Sequence, residues 1–314
     1  MENRKILIEW PELNLHAVAS LADDKNPELC DDVWNTLPFE AIMNNAVVTG
    51  NSMYCWTPVV SFAPIHYKEL ICEAPIGRLR YGQGDGNKLI VQYGPCYDNV
   101  KGTVLGAVEP DYLDSLSTVG QKATEAIYIT KKKLSVRFSK LDDSHSDAPA
   151  TQSCQFKNAE AADLYSRISD AALNASEEEP KELVGLRNGA VKGSFGQYFS
   201  TWEFVYSFLR DVSMYTLYPV TKFSRNEAVS VQMISDLYQS IMPPYMNYLE
   251  EWGCVDLAKY SSEFTALLKN QKIEKYEALQ ILESLCRYTN MMSSWAYFMF
   301  PWGIGAAFRK DDTI

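Results

Sequence analysis

Two short runs separated by glycines decide the fold: Arg78-Leu79-Arg80-Tyr81 and Lys88-Leu89-Ile90-Val91-Gln92, joined by Gly82-Gln83-Gly84-Asp85-Gly86-Asn87. Short runs of β-branched and aromatic residues, bounded by turn formers, are typical of two strands in a β-hairpin. The glycine run resembles a dinucleotide-binding fingerprint, but that fingerprint requires a helix after the glycines, and here a second strand follows. The sequence therefore predicts a hairpin loop at this position and no Rossmann unit.

The same strand pattern extends in both directions from the hairpin. Asn26-Pro27-Glu28 has the residues of a helix start, and Pro38 ends the apolar stripe that follows. The remaining sequence up to residue 140 is strand-like. Besides the two strands of the hairpin, the predicted strands are 5–9, 14–22, 46–49, 53–62 and 126–138. Many short strands with one early helix predict a β-barrel or a β-sandwich.

The period of the apolar residues changes in the second half of the chain. Residues 142–155 have the composition of a linker, and beyond them the period changes from 2 to about 3.6, which is typical of helices. We predict helices at 159–175, 197–217, 225–251 (interrupted at Pro243-Pro244), 255–268 and 275–298. The predicted organisation is therefore a mainly-β domain at 1–145 and an all-α domain at 156–314.

Composition limits the classes of function. The 314 residues carry a formal net charge of −11, which argues against a nucleic-acid partner. The sequence shows no apolar run long enough to span a membrane and no signal-peptide core, so a cytoplasmic protein without a membrane partner is expected. The seven cysteines are scattered without a Cys-x-x-Cys pair and the three histidines are far apart, which predicts reduced thiols and no metal site.

The order of several motifs resembles an uncharacterised cyclophilin-like bacterial family. The motifs are Leu37-Pro38-Phe39-Glu40, Val47-Val48-Thr49-Gly50-Asn51, Tyr54-Cys55-Trp56-Thr57-Pro58, Glu69 with Pro75-Ile76-Gly77-Arg78-Leu79-Arg80-Tyr81-Gly82, and Gln92-Tyr93-Gly94-Pro95. A cyclophilin-like barrel followed by a helical domain is similar to the cucumopine and mikimopine synthases, opine synthases encoded on the transferred DNA of plant-transforming rhizobia. The resemblance implies a cyclophilin-like closed barrel and a cofactor-free Pictet–Spengler-type condensation of L-histidine with 2-oxoglutarate.

That chemistry requires proton-transfer groups, and one window offers four of them. His66, Tyr67, Lys68 and Glu69 are adjacent in a predicted loop. We assign Glu69 as the candidate base, Tyr67 and His66 as candidate proton donors, and Lys68 as a candidate carboxylate-binding residue. The alternative interpretation is an ordinary solvated loop between strands.

The substrates also require cations and aromatic walls. Arg78 and Arg80 share one face of a strand, because side chains alternate, and could clamp a carboxylate. Tyr54 and Trp56 likewise share a face and are candidate pocket walls, and Gln92 and Tyr93 are further candidate substrate contacts. The alternatives are an exposed arginine pair and simple core packing of the aromatic residues.

A second class of function remains open, in which the barrel is a small-molecule or peptide binding module and the helical half recruits a partner. The helical half is rich in aromatic residues and methionines, for which core packing is the default interpretation and a homodimer interface the alternative. The expected partners are an amino acid and a keto acid, and no cofactor is expected.

Overall fold

The computed structural model describes residues 3–46, 49–141, 155–189, 198–270 and 272–300. By internal contacts they form two compact units: one takes the described residues up to 141 except 84–86, together with 297–300, and the other takes 84–86 and those from 155 to 296. Val47, Val48 and nearly all of the predicted linker lie outside the described residues. The domain limits 1–145 and 156–314 stay a prediction.

The first unit is built on one curled antiparallel sheet. Its strands are β1 Lys5–Trp10, β2 Leu15–Leu21, β3 Phe39–Ile42, β4 Asn44–Asn45, β5 Gly50–Trp56, β6 Lys68–Leu70, β7 Arg78–Gly82, β8 Lys88–Cys96, β9 Lys101–Val108 and β10 Ser135–Lys140. They follow the order β3-β10-β1-β2-β9-β7-β8-β5-β4, with β6 paired to β9. The strands at the two ends, β3 and β4, are separated in the chain by Met43 alone, so the sheet returns on itself as a nearly closed barrel. The predicted cyclophilin-like barrel is confirmed.

Side-chain alternation separates the barrel core from the opposite face of the sheet. On β1 the side chains of Ile6, Ile8 and Trp10 are fully buried while their neighbours are partly exposed. On β5, β7 and β8 the core face consists of Met53, Cys55, Leu79, Tyr81, Leu89 and Val91, each at most 2% exposed. Each fully buried large apolar side chain stabilises the fold by roughly 1.5–3 kcal/mol.

The first unit also contains two α-helices. The predicted early helix is confirmed as α1, Pro27–Thr36, with Pro27 in its first turn. The second, α2 (Leu113–Glu125), continues into a π-helical turn at Ala126–Thr130, so the strand predicted at 126–138 was wrong for its first half. The reason lies in the spacing of Leu116, Val119, Gly120 and Ala123, which are buried at helical intervals along one side of α2.

The second unit is helical, as predicted. Its helices are α3 Ala159–Glu177, α4 Lys181–Arg187, α5 Tyr198–Arg210, α6 Tyr218–Ser224, α7 Val231–Glu251, α8 Val255–Lys269 and α9 Lys275–Phe298, the last two residues of α9 falling in the first unit. A π-helical segment, Asp211–Leu217, joins α5 to α6. None of the helices among the described residues combines the length and the apolar character that a membrane span requires.

Helix α7 corrects a second prediction. Pro243 and Pro244 lie inside the helix and do not interrupt it. The buried side of α7 continues across them from Tyr238 to Met246, so packing outweighs the lost backbone hydrogen bonds. The helix begins at Val231, later than predicted, because the Ser230 side chain accepts a hydrogen bond from the Met233 amide and caps it there.

Candidate active site

Three neighbouring strands present the predicted substrate-binding residues on one surface. Strand β8 pairs with β5 and β7, so that Ile90 is the cross-strand partner of Tyr54 on one side and of Arg80 on the other. In the same register Gln92 faces Ser52 and Lys88 faces Trp56. By alternation these residues lie opposite the core face, and we refer to this set as the outer face: Ser52, Tyr54, Trp56, Arg78, Arg80, Lys88, Ile90 and Gln92.

Arg80 is the most buried charged residue of the outer face. Only 3% of it is exposed, and its guanidinium donates from Nη1 to Oε1 of Gln92 at 2.5 Å and from Nη2 to Oγ of Ser52 at 3.0 Å. Burial lowers the pKa of Arg80, while the nearby Cys96 and the Glu69 charge act in the opposite direction. An arginine remains a cation in spite of such a shift. Arg80 is therefore a buried positive charge that is hydrogen-bonded to the neutral side chains of Gln92 and Ser52, with Cys96 and the Glu69 charge nearby.

The neighbours of Arg80 are themselves held in place. Gln92 donates from Nε2 to the backbone carbonyl of Ala74 at 3.0 Å, so both polar ends of its amide are used within the protein. Ser52 Oγ lies 3.0 Å from Sγ of Cys96, which is buried. These contacts hold the guanidinium from two sides, on β8 and on β5.

Arg78, two residues away on the same strand, has a different partner. Its Nε and Nη2 donate to the two carboxylate oxygens of Glu69 at 2.5 and 3.3 Å, and its Nη1 donates to the Gly106 carbonyl at 3.2 Å. The side chains of the pair are only 14% and 16% exposed. A two-point pair of this kind is strong and geometrically specific. Glu69 is thus an oriented carboxylate, and the charge of Arg78 is compensated.

Aromatic rings occupy the other end of the outer face. The rings of Tyr54 and Trp56 meet edge to face with centroids 5.2 Å apart, and Tyr297 lies 5.4 Å from Trp56. Lys88 Nζ is 4.9 Å from the Trp56 ring centroid and 5.3 Å from that of Tyr54, a cation–π arrangement. The buried Nε1 of Trp56 has no hydrogen-bond partner among the described residues. Sequence reasoning missed Lys88, although alternation along β8 already placed it with Gln92.

The structure does not bring His66, Tyr67 and Lys68 to the outer face. His66 is about half exposed, with Nε2 3.0 Å from Oε2 of Glu28, and Tyr67 is 40% exposed beneath Nζ of Lys25. Lys68 is exposed on β6. The adjacency of His66, Tyr67, Lys68 and Glu69 in sequence therefore does not become one cluster of side chains.

Tyr93 also lies apart from the outer face. It has the opposite parity to Gln92 on β8, and its hydroxyl donates to Oδ1 of Asn45 at 3.1 Å. Its ring packs against Gly120 of α2, where an added Cβ would stand 2.5 Å from Cζ of the ring. These contacts are structural, and the predicted role of Tyr93 in substrate binding has no support in its position.

A comparison with protein families shows which proteins the helical half resembles. Residues 161–299 match the family model described as the cucumopine synthase C-terminal helical bundle domain. The helical half is thus similar to the C-terminal domain of the cucumopine synthases. The predicted resemblance to cucumopine and mikimopine synthases is confirmed by this match.

Solved structures extend the comparison beyond the helical half. The structure of McbB in complex with tryptophan covers 97% of this chain and 100% of its own, with a TM-score of 0.89 and 25% identity. The solution structure of the hypothetical protein AF2241 from Archaeoglobus fulgidus covers 44% of this chain and 95% of its own, with 13% identity and a TM-score of 0.33, which is too low to carry an argument. No curated protein matches the chain.

The match of the helical half and the fold shared with McbB together indicate the class of protein. The chain is a synthase that forms a carbon–carbon bond without a redox step, and it is similar to the opine synthases and Pictet–Spenglerases. The prediction that it is an enzyme is confirmed.

Proposed function

We propose that this enzyme condenses L-histidine with 2-oxoglutarate by a Pictet–Spengler-type cyclisation and forms cucumopine or mikimopine. The helical domain supports the proposal, since its family is that of the cucumopine synthases. The observation that carries the proposal is Arg80, a buried cation held by the neutral side chains of Gln92 and Ser52. A substrate carboxylate would supply the negative charge that these partners lack.

The proposed reaction consists of two bond-forming steps. The amine of histidine adds to the ketone of 2-oxoglutarate, and water leaves to give an iminium ion. An imidazole carbon then attacks the iminium carbon, and a base removes the proton from that ring carbon to restore aromaticity. The product has the summed mass of the substrates less one water, and no electrons pass to or from a third compound.

The outer face supports a distribution of roles. We assign Arg80 to a substrate carboxylate, and Tyr54 and Trp56 to the wall of the pocket, with Lys88 adding positive charge beside them. Glu69 is our proposed base, because Arg78 orients both of its carboxylate oxygens. His66 and Tyr67 are left out as proton donors, since they are exposed and lie against Glu28 and Lys25.

A second amine is favoured by one comparison. The solved McbB structure holds tryptophan, and indole resembles imidazole in being an electron-rich ring on an amino-acid side chain. L-tryptophan is therefore the second candidate for the amine substrate. The electron-rich ring and the free amine are the features that both candidates share.

The test is incubation of the purified chain with uniformly ¹³C-labelled 2-oxoglutarate and L-histidine or L-tryptophan, without nicotinamide cofactor. Mass spectrometry should detect a labelled product at the summed mass less one water. Nα-acetylhistidine is the matched control, because its blocked nitrogen cannot form the iminium ion. A folded protein that gives no condensed product with either amine would refute the proposal.

Two features of organisation accompany the proposal. The barrel at 1–145 and the helical domain at 156–314 are our proposed domains, and we propose a homodimer through the helical domain in the cytoplasm. Analytical ultracentrifugation of the full chain measures its mass in solution. A monomer at micromolar concentration would contradict the proposed dimer.

A further inference from the structure

The two arginines of β7 differ in the charge of their partners. Arg78 and Arg80 are two residues apart on one face of the strand. Arg78 is paired through two hydrogen bonds with the carboxylate of Glu69. Arg80 is held by the amide of Gln92 and the hydroxyl of Ser52. The carboxylate of Glu69 is therefore hydrogen-bonded to Arg78 and compensates its charge directly, whereas it acts on Arg80 without a hydrogen bond.

The orientation of the Gln92 amide follows from its two contacts. The Ala74 carbonyl accepts from Nε2 at 3.0 Å, which leaves Oε1 to accept from Nη1 of Arg80. The reversed amide would set its NH₂ group against the guanidinium and its oxygen against a carbonyl, so both contacts would be lost. Ala74 therefore selects the orientation in which Gln92 holds Arg80. Gln92 is 2% exposed, and each end of its amide already makes one hydrogen bond within the protein.

The same contacts leave donors on Arg80. A guanidinium has five N–H groups, and the hydrogen bonds to Gln92 and Ser52 occupy one on each terminal nitrogen. The Nε hydrogen and one hydrogen on each Nη make no bond to Gln92 or Ser52, and the side chain of Cys96 also interacts with the guanidinium. A carboxylate at position 92 would instead lie about as close to the guanidinium as the amide oxygen does now. It would compensate the charge of Arg80 and repel a substrate carboxylate.

We propose that Gln92 is a positioning residue that aims Arg80 and, by being neutral, keeps its charge for a substrate carboxylate. Glu69 has the opposite effect on Arg78, whose charge it compensates. This inference rests on the proposed function, because it concerns the same substrates. The sequence suggested that Gln92 contacts the substrate directly. In this inference Gln92 acts on the substrate only through Arg80.

The experiment compares ligands with and without a carboxylate on the full chain, using Gln92→Glu as a nearly isosteric change. Calorimetric titration measures the binding of 2-oxoglutarate and its dimethyl ester, and of L-histidine and histamine. We expect Gln92→Glu to weaken one carboxylate ligand about tenfold or more and to leave its neutral analogue within about twofold of wild type. The ligand affected identifies whether Arg80 takes the carboxylate of the keto acid or of the amino acid.

The matched control is Glu69→Gln, which makes the reverse change of charge beside Arg78. It should bind the same carboxylate ligand as tightly as wild type or more tightly. Gln92→Met is neutral and cannot orient the guanidinium, so it should lose less affinity for the carboxylate ligand than Gln92→Glu does. It tests the inference if circular dichroism shows that Gln92→Glu does not fold. The inference would be overturned if wild type and both position-92 variants bound with equal affinity. It would also be overturned if the variants lost equal affinity for the carboxylate ligand and for its neutral analogue.

The outcome separates this inference from the proposed function. A wild-type chain that binds 2-oxoglutarate through a Gln92-dependent site but forms no condensed product contradicts the proposed reaction alone. A chain that forms the product while Gln92→Glu binds and reacts like wild type contradicts the role of Gln92 alone. In kinetic terms, the role of Gln92 predicts a raised KM for the carboxylate substrate with a smaller change in kcat.

Discussion

Gly102 lies so close to Arg80 that a Cβ atom added at position 102 would stand 2.7 Å from Cδ of the arginine. The same Cβ would stand 3.1 Å from Cγ1 of Ile71. Gly102 is on β9 and is paired with Glu69 of β6, so the missing side chain lies between Arg80 and the strand that carries Glu69. The path of the Arg80 side chain depends on this absence, because a methyl group there would occupy its space.

We therefore expect Gly102→Ala to displace Arg80. A Cβ within 3 Å of a side chain in a packed region forces it to move, and a shift of about 1 Å in a binding group can cost one to two orders of magnitude in activity. Binding of the carboxylate substrate should weaken about tenfold. The matched control is Gly120→Ala, whose Cβ would meet the Tyr93 ring at 2.5 Å, away from the outer face. Gly120→Ala should lose stability and keep its affinity; equal affinities in both variants would contradict the prediction.

The second prediction concerns Asn26, which ties the segment before β6 to the barrel. Its side chain is fully buried, accepts from the amides of His66 and Tyr67 at 2.9 and 3.0 Å, and donates to the carbonyls of Tyr67 and Val104 at 3.0 and 2.7 Å. Asn26→Ala leaves these buried groups unsatisfied and should lower the free energy of unfolding by about 2–4 kcal/mol. Urea denaturation measures the loss.

Native-state hydrogen exchange should localise the effect of Asn26→Ala. The amides of His66 and Tyr67 should exchange faster than in wild type, while those of β1 should lose no more protection than the global loss of stability explains. The control is Asn35→Ala, the same substitution at an exposed position of α1, which should alter the free energy of unfolding by less than about 0.5 kcal/mol. Unchanged exchange at 66 and 67 would show that Asn26 does not hold this segment.

The third prediction concerns a buried carboxyl in the helical unit. Burial raises the pKa of Glu182 to about 7, against the effect of the hydrogen bonds that its carboxylate accepts from the Asp256 amide and from the Tyr288 hydroxyl at 3.4 Å. The folded chain therefore holds this proton more tightly than the unfolded chain. The resulting stability is fully present below the ordinary glutamate pKa and is lost as the pH rises through about 7.

Glu182→Gln should remove this dependence on pH. Between pH 4.5 and pH 8 the free energy of unfolding of wild type should fall, relative to that of the variant, by an amount on the order of 2 kcal/mol. Urea denaturation at intervals across that range measures the difference. Parallel stability curves for the two proteins would contradict the raised pKa.

The fourth prediction has the opposite sign and concerns Lys131. Burial lowers the pKa of this amine to about 8, while Nζ donates to the carbonyls of Phe298 at 2.8 Å and Phe300 at 2.5 Å. Between about pH 8 and the ordinary lysine pKa the unfolded chain binds the proton more tightly, so the folded state gains stability as the pH rises. Lys131→Met should abolish that gain, measured as the change in the unfolding midpoint between pH 8 and 10. Glu125→Gln, at an exposed side chain on the same helical stretch, is the control and should keep the gain.

Several parts of the fold and the site could be predicted because they depend on local geometry. The alternation of side chains along a strand already placed Arg78 with Arg80 and Tyr54 with Trp56, whatever the neighbouring strands are. The helical period after residue 155 predicted the second unit in the same way. Helix α2 was not predicted because the β-branched residues at 126–138 favour a strand, although the spacing of Leu116, Val119 and Ala123 before them is helical.

The partner of each charged group could not be predicted in this way. Glu69 and Gln92 lie on different strands, and only the pairing of β6 with β9 and of β8 with β7 and β5 makes one the partner of Arg78 and the other that of Arg80. His66 and Tyr67 show the reverse effect, since adjacency to Glu69 in the chain did not bring their side chains to the same surface.

Periodicity in the amino-acid order was thus sufficient for several strands, most helices, the two-part organisation and the face on which a strand residue lies, because these follow from the geometry of consecutive residues. The tertiary structure decided the partners within the site. It determined which arginine is paired with a carboxylate, which carboxylate is oriented and which amide is hydrogen-bonded within the protein. Burial and ion pairing depend on residues that become neighbours only when the sheet closes, and their energies depend on distance in space.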